Sequence, residues 1–259
     1  MKAIASVSEE WQRQRLILLA GFIGLCLLAW ASMAKEASSM NSIGHLPACC
    51  IPQLKPWHME DFLVVSLMWA VMMVAMMTPS AIPMLLTFAF VNRKRSKEAF
   101  VPTWIFFCGY LLVWTIFSFL VALVQWYLHQ KALISPTMIS SSGLLSGILV
   151  MVAGVFQFTP LKNTCLAHCQ SPLSFLMGHW HEGKRGALLM GLKHGLYCSG
   201  CCWVLMLLLF VFGVMNIAWI ALLTLVVLLE KIIPKKFRFS FMLGCVFVTW
   251  GTLLMLWKA

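Results

Sequence analysis

MGLKHGLYCSGCCWVLM, residues 190–206, opens a long apolar run and gives the chain its character. Every fourth residue of it is a soft or imidazole side chain: Met190, His194, Cys198, Cys202 and Met206. On an α-helix, residues four apart lie one above the other, and Cys201 joins them three places beyond Cys198. Thioether, imidazole and thiolate select Cu(I), and a closed tetrahedral set of sulfur and nitrogen also suits Zn²⁺. Each step of four drifts about 40° around the helix, so the ends of the ladder face different ways. One ion can use only neighbouring rungs, and further ligands must come from another segment. Any one of these cysteines or methionines reads equally as an ordinary apolar residue. His194 does not, because nothing in packing calls for an imidazole in an apolar run.

The surrounding chain is as apolar as this stretch. Of 259 residues, 61% are apolar and 10% charged, far from the balance of a soluble protein. Seven runs approach the length of about 20 residues that crosses a hydrocarbon core, at 16–34, 62–90, 101–128, 143–160, 195–212, 214–230 and 239–257. The expected fold is an all-α, polytopic helical membrane bundle of about seven spans, with a tight turn near Gly213. Residues 16–30 also resemble the core of a signal peptide, with small residues at 31–34. Cleavage there would leave six spans, but the long preceding segment with Glu9 and Glu10 favours an uncleaved anchor. The expected organisation is an anchor helix at 1–34, an outer loop at 35–61, a metal-binding membrane core at 62–235 and a C-terminal helix at 236–259.

The net charge of +11 does not point to nucleic acid, because its distribution is that of a membrane protein. Lys2, Arg13 and Arg15 precede the first span, and Arg93, Lys94, Arg95 and Lys97 follow the second. Lys162, Lys184, Arg185 and Lys193 follow the fourth, and Lys231, Lys235, Lys236 and Arg238 follow the sixth. Only Lys35, Lys55, Lys131 and Lys258 of the 19 basic residues fall in the other loops. The positive-inside rule then predicts a cytoplasmic N-terminus and an outward C-terminus. Cys165, Cys169 and Cys198 would lie at or near the cytoplasmic face, where thiols stay reduced.

Other segments carry candidate ligands. The second span, MWAVMMVAMMTPSAIPM from Met68 to Met84, has Met68, Met72 and Met76 in one row and Met73 and Met77 in the next. Packing and ligation both explain such a stripe. Pro79 and Pro83 should kink or break that span and free carbonyls that a polar cavity must satisfy. If the second and fifth spans are neighbours, Met76 and Met77 lie level with Cys202, and Met72 and Met73 with Met206. After the fourth span, Cys165 and Cys169 stand four apart with His168 between them, a moderately specific metal signal. They are expected to form a separate, more exposed site that captures the ion. HWHEG, with His179, His181 and Glu182, reads as an interfacial turn, and Glu230 beside Lys231 as an interfacial anchor. The outer loop offers Met40, His45, Cys49, Cys50, His58 and Met59, without a ligand-like spacing. The third span, with Trp104, Trp114 and Trp126, reads as lipid-facing or interfacial scaffold, and its lone Cys108 as structural. The fourth, with Ser142, Ser146, Gly147 and Gly154, is a helix that another can approach closely.

WAVMMVAMMTPSAIPM, CLAHCQSPLSF and GLKHGLYCSGCCWVLMLLLFVFGVMNIAW together resemble the predicted metal-binding integral membrane proteins, a bacterial family, over roughly residues 60–235. The resemblance implies that Cys165, Cys169, Cys198, Cys201, Cys202 and the methionine row are family features, that the role is copper handling and that the location is the bacterial cytoplasmic membrane. In that family a basic residue more often follows the second loop cysteine, where this chain has Gln170. The expected function is binding of Cu(I), with Zn²⁺ as the other candidate, for transfer, delivery or transport, in the lipid bilayer and with a metal donor or acceptor protein as partner. The alternative is a membrane assembly factor or scaffold with redox or structural cysteines. No nucleophile is paired with a base and no glycine loop suits a phosphate, so an enzyme is not expected.

Overall fold

Apolar runs of this length must satisfy their own backbone, and the computed structural model, which describes residues 2–44, 59–96, 100–130 and 143–257, is helical there apart from short turns. The helices are α1 (Lys2–Gly44), α2 (Met59–Ser96), α3 (Phe100–Gln130), α4 (Gly143–Gln157), α5 (Pro160–Gln170), α6 (Pro172–Gly178), α7 (Gly183–Leu207), α8 (Leu209–Phe212), α9 (Ile217–Ile232) and α10 (Phe239–Trp257). Five segments are long and apolar enough to cross a membrane: Glu10–Ser39, Met59–Arg95, Phe100–Gln130, Gly183–Phe212 and Phe239–Leu256. The fourth expected span is not straight. It ends at Gln157, and α5 leaves at 65° to α4, so the pair makes a sixth crossing only if counted together. Thr159 starts the new direction, its hydroxyl accepting from the Lys162 amide at 3.4 Å with Pro160 at the first helical position. At Gly213, where the turn was expected, φ is +97°, a value that a side chain would strain.

Helix α3, expected as lipid-facing or interfacial scaffold, leaves Leu112, Ile116 and Leu120 exposed on one side and joins two other helices with its opposite side. It packs along both α2 and α7, and Trp114 is fully buried. Two glycines permit the approach to α7, since a Cβ on Gly191 would run into the Phe106 carbonyl and one on Gly109 into backbone of α7. Trp69 of α2 donates to Gln125 Oε1 of α3 at 2.6 Å. Along α4 and α10 the expected small-residue contact is present: a Cβ on Gly154 would stand 3.0 Å from the Gly244 carbonyl oxygen, and one on Gly251 3.0 Å from that of Gly147.

Helix α2 runs unbroken through Pro79 and Pro83, and a polar cavity is not what answers the missing donor. Pro79 cannot bond the carbonyl four residues back, that of Ala75. Trp30 Nε1 of α1 donates to that oxygen at 3.2 Å, and the Cys26 thiol lies 3.6 Å from it. Leu18 and Phe22 of the same helix are fully buried, and α1 continues through Ala31–Ala34 without interruption.

Candidate metal centre

Every rung of the α7 ladder faces inward. Met190, Cys198, Cys202 and Met206 are fully buried, and His194 and Cys201 are nearly so. The helix itself gathers two of the sulfurs, because the Cys201 and Cys202 thiols both donate to the Cys198 carbonyl, at 3.1 and 3.0 Å. His194 stacks on Tyr110, ring centres 5.5 Å apart, and its Nδ1 is buried without a hydrogen-bond partner.

The 65° bend turns α5 against α7 and brings the loop cysteines into the same place. Cys165 packs on Gly200, where a Cβ would stand 2.9 Å from its sulfur. The Cys169 thiol interacts with those of Cys198 and Cys201, and Cys202 with the same two. Cys165 and Cys169 are buried, not exposed as expected, and both lie against α7. The reason is local: the chain after the fourth span is a helix docked on α7, where the sequence reads as a polar loop. The described cysteines are all free thiols. Among the described residues, no three His, Cys, Asp or Glu side chains already form a metal cage. Cys201 and Cys202 must leave the Cys198 carbonyl before their sulfurs can turn to an ion.

Three polar side chains that sequence reasoning assigned elsewhere, or passed over, complete the centre. Lys231 Nζ donates to Cys198 Sγ at 2.9 Å and to Ser80 Oγ at 2.7 Å. Tyr110 Oη lies 3.1 Å from Cys198 Sγ, either atom able to donate, and 3.3 Å from the Met77 carbonyl oxygen. Lys231 is thus no interfacial anchor, and neither is Glu230, whose carboxylate receives the fully buried Lys162 at 2.7 Å. Both lysines had counted as loop charges, because a basic residue at the end of an apolar run reads as an edge. The pairing of Lys231 with a thiol two helices earlier in the chain leaves no local signal. Gln170 does the work of a C-terminal cap, donating to the carbonyls of Glu230 and Ile233 at 2.7 and 2.9 Å where α9 ends.

Helices α2 and α7 are not packed along one another; each packs along α3. Met72, Met73, Met76 and Met77 all lie in the core, and the row meets the thiol cluster through Tyr110 on Met77 and Lys231 on Ser80. His168 turns its ring onto Tyr197, centres 4.1 Å apart and planes within 1°. Cys108 is exposed. His45, Cys49, Cys50 and His58 of the outer loop lie outside the described residues.

No curated protein and no solved structure matches the chain. A family model does: PpoB2, described as a copper chaperone, matches residues 66–254, a span that takes in the methionine row, Tyr110, all the clustered thiols and Lys231. The chain belongs to this copper-chaperone family.

Proposed function

We propose that this protein binds Cu(I) inside a membrane bundle and passes it on, with Cys169, Cys198, Cys201 and Cys202 as the thiol ligands and Cys165 beside them. The observation that carries the reading is the meeting of four thiols from two helices in a dry site next to one buried ammonium. Soft thiolates are the ligands that select Cu(I). The charge argues the same way. Two thiolates around Cu(I) leave one negative charge, which Lys231 balances, whereas four thiolates around Zn²⁺ would leave two. His194 and the methionines Met72, Met73, Met76, Met77 and Met206 form the surrounding soft wall.

In this reading α4 with α5 makes the sixth crossing and α9 the seventh, the N-terminus is cytoplasmic and the C-terminus outside, in a bacterial cytoplasmic membrane. The remaining loop charges, Arg93, Lys94 and Arg95 among them, support that orientation. The protein delivers its ion to or from a partner protein and performs no chemistry on it.

Anaerobic titration of purified protein against a Cu(I) chelator tests the proposal. The triple variant Cys198→Ser, Cys201→Ser, Cys202→Ser should lose tight binding, since serine is nearly isosteric but a poor ligand for Cu(I). Cys169→Ser should weaken the same binding event, not a separate one. A folded triple variant with wild-type affinity would make the cluster a packing feature and favour the scaffold reading, to which the thiol bonds to the Cys198 carbonyl already lend an observation.

A further inference from the structure

The thiol cluster is buried, so an ion must first land somewhere else. At the junction of α5, α6 and α7, His168 and His179 are half-buried, with ring centres 6.3 Å apart. Each holds its ring in the same manner. His168 Nδ1 bonds the Thr164 carbonyl at 2.9 Å, and His179 Nδ1 bonds the Phe175 carbonyl at 3.2 Å. A carbonyl oxygen only accepts, so in the neutral ring the proton sits on Nδ1 and the lone pair on Nε2. That is the arrangement in which histidines bind metals, the far nitrogen tied to a backbone carbonyl and the near one free to ligate.

Stacking fixes both rings further. His168 lies flat on Tyr197, and His179 stacks on Phe175 with centres 5.1 Å apart. A metal–nitrogen bond of about 2 Å on each side, added to two ring radii, sets the centres of a linear two-imidazole complex roughly 6 Å apart. The observed spacing matches. His168 also adjoins Cys169, whose thiol interacts with those of Cys198 and Cys201.

We infer that His168 and His179 form a two-imidazole Cu(I) site at the mouth of the thiol cluster, where the ion lands before it passes to Cys169. The inference rests on the proposed thiol site as the destination. In the transfer copper remains Cu(I). Copper–nitrogen bonds to Nε2 break as copper–sulfur bonds form, and each thiol that becomes a ligand releases its proton to solvent. Thiolate is the softer ligand, so the gradient runs inward.

The test uses the full-length protein in nanodiscs, Cu(I) supplied anaerobically as a chelate, and the variants His168→Phe, His179→Phe and their double, which keep the ring stacking. Wild type should bind a second, weaker equivalent of Cu(I) with nitrogen scattering in its X-ray absorption spectrum, beyond the sulfur-bound equivalent. Each single variant and the double should lose that second equivalent and load the thiols more slowly, while the final thiol affinity stays the same. A double variant that keeps the second equivalent, or a wild type that shows only sulfur-bound copper, overturns the inference. A wild type with the nitrogen-bound equivalent but no tight sulfur-bound one supports the imidazole site and sinks the thiol reading instead.

Discussion

Replacing Lys231 with methionine removes the ammonium that donates to Cys198 and keeps much of its length and apolar stem. If two thiolates hold Cu(I), the complex is an anion in a dry interior, and Lys231 Nζ stands 2.9 Å from one of its sulfurs. Unit charges about 4 Å apart interact by ~4 kcal/mol at an effective dielectric of about 20, and a hydrogen bond to a charged group contributes about 1.5–3 kcal/mol net. The ammonium also repels the copper ion itself, which pulls the sum towards the lower range. A loss of about 2 kcal/mol, or roughly 30-fold in affinity, is expected for Lys231→Met. Competitive titration with a Cu(I) chelator at fixed pH reads it directly. The fold has a separate control, since Ser80 still donates to the Met77 carbonyl at 3.0 Å without Lys231, and thermal melting reports whether the bundle survives. Unchanged affinity in a folded variant would refute the charge argument. A tighter site would show that Lys231 competes with the metal for the Cys198 lone pair.

Trp30→Phe should leave the Ala75 carbonyl with the weak Cys26 thiol as its side-chain donor and lower stability by about 1 kcal/mol in a detergent melt, and adding Pro79→Ala, which restores the backbone donor, should recover much of that loss. Equal losses in both backgrounds would mean that the indole matters only as bulk. Lys162→Met or Glu230→Gln alone should destabilise by about 3–5 kcal/mol, because each leaves a buried charge without its counter-charge, and the double variant should be less damaged than either single one.

The ladder was legible because four-residue spacing is a property of one helix: all five rungs point inward. So were the turn at Gly213 and the close α4–α10 contact, which depend on glycines at readable positions. What the spacing could not show is the bend after Gln157. An apolar run continuing to residue 160 looks like one span, and the 65° turn that carries Cys169 to Cys198 depends on a single capping threonine and a proline. Lys231 and Lys162 were misplaced for the opposite reason. A charge at the end of a span has two physical solutions, water or a buried partner, and the partners here lie on other helices. Tyr110 was passed over among the aromatic residues of α3, where nothing nearby in sequence marks its hydroxyl as facing a thiol.

The carbonyl of Ala75 has a bearing on how the chain is made. In a bilayer, α2 would arrive carrying a backbone acceptor that its own proline prevents it from satisfying, and no water is at hand to replace the missing donor. The indole that answers it belongs to α1, which leaves the ribosome 45 residues earlier. In the proposed membrane reading the first helix waits in the bilayer as a template on which the second settles, and the order of synthesis supplies the donor before the acceptor that needs it.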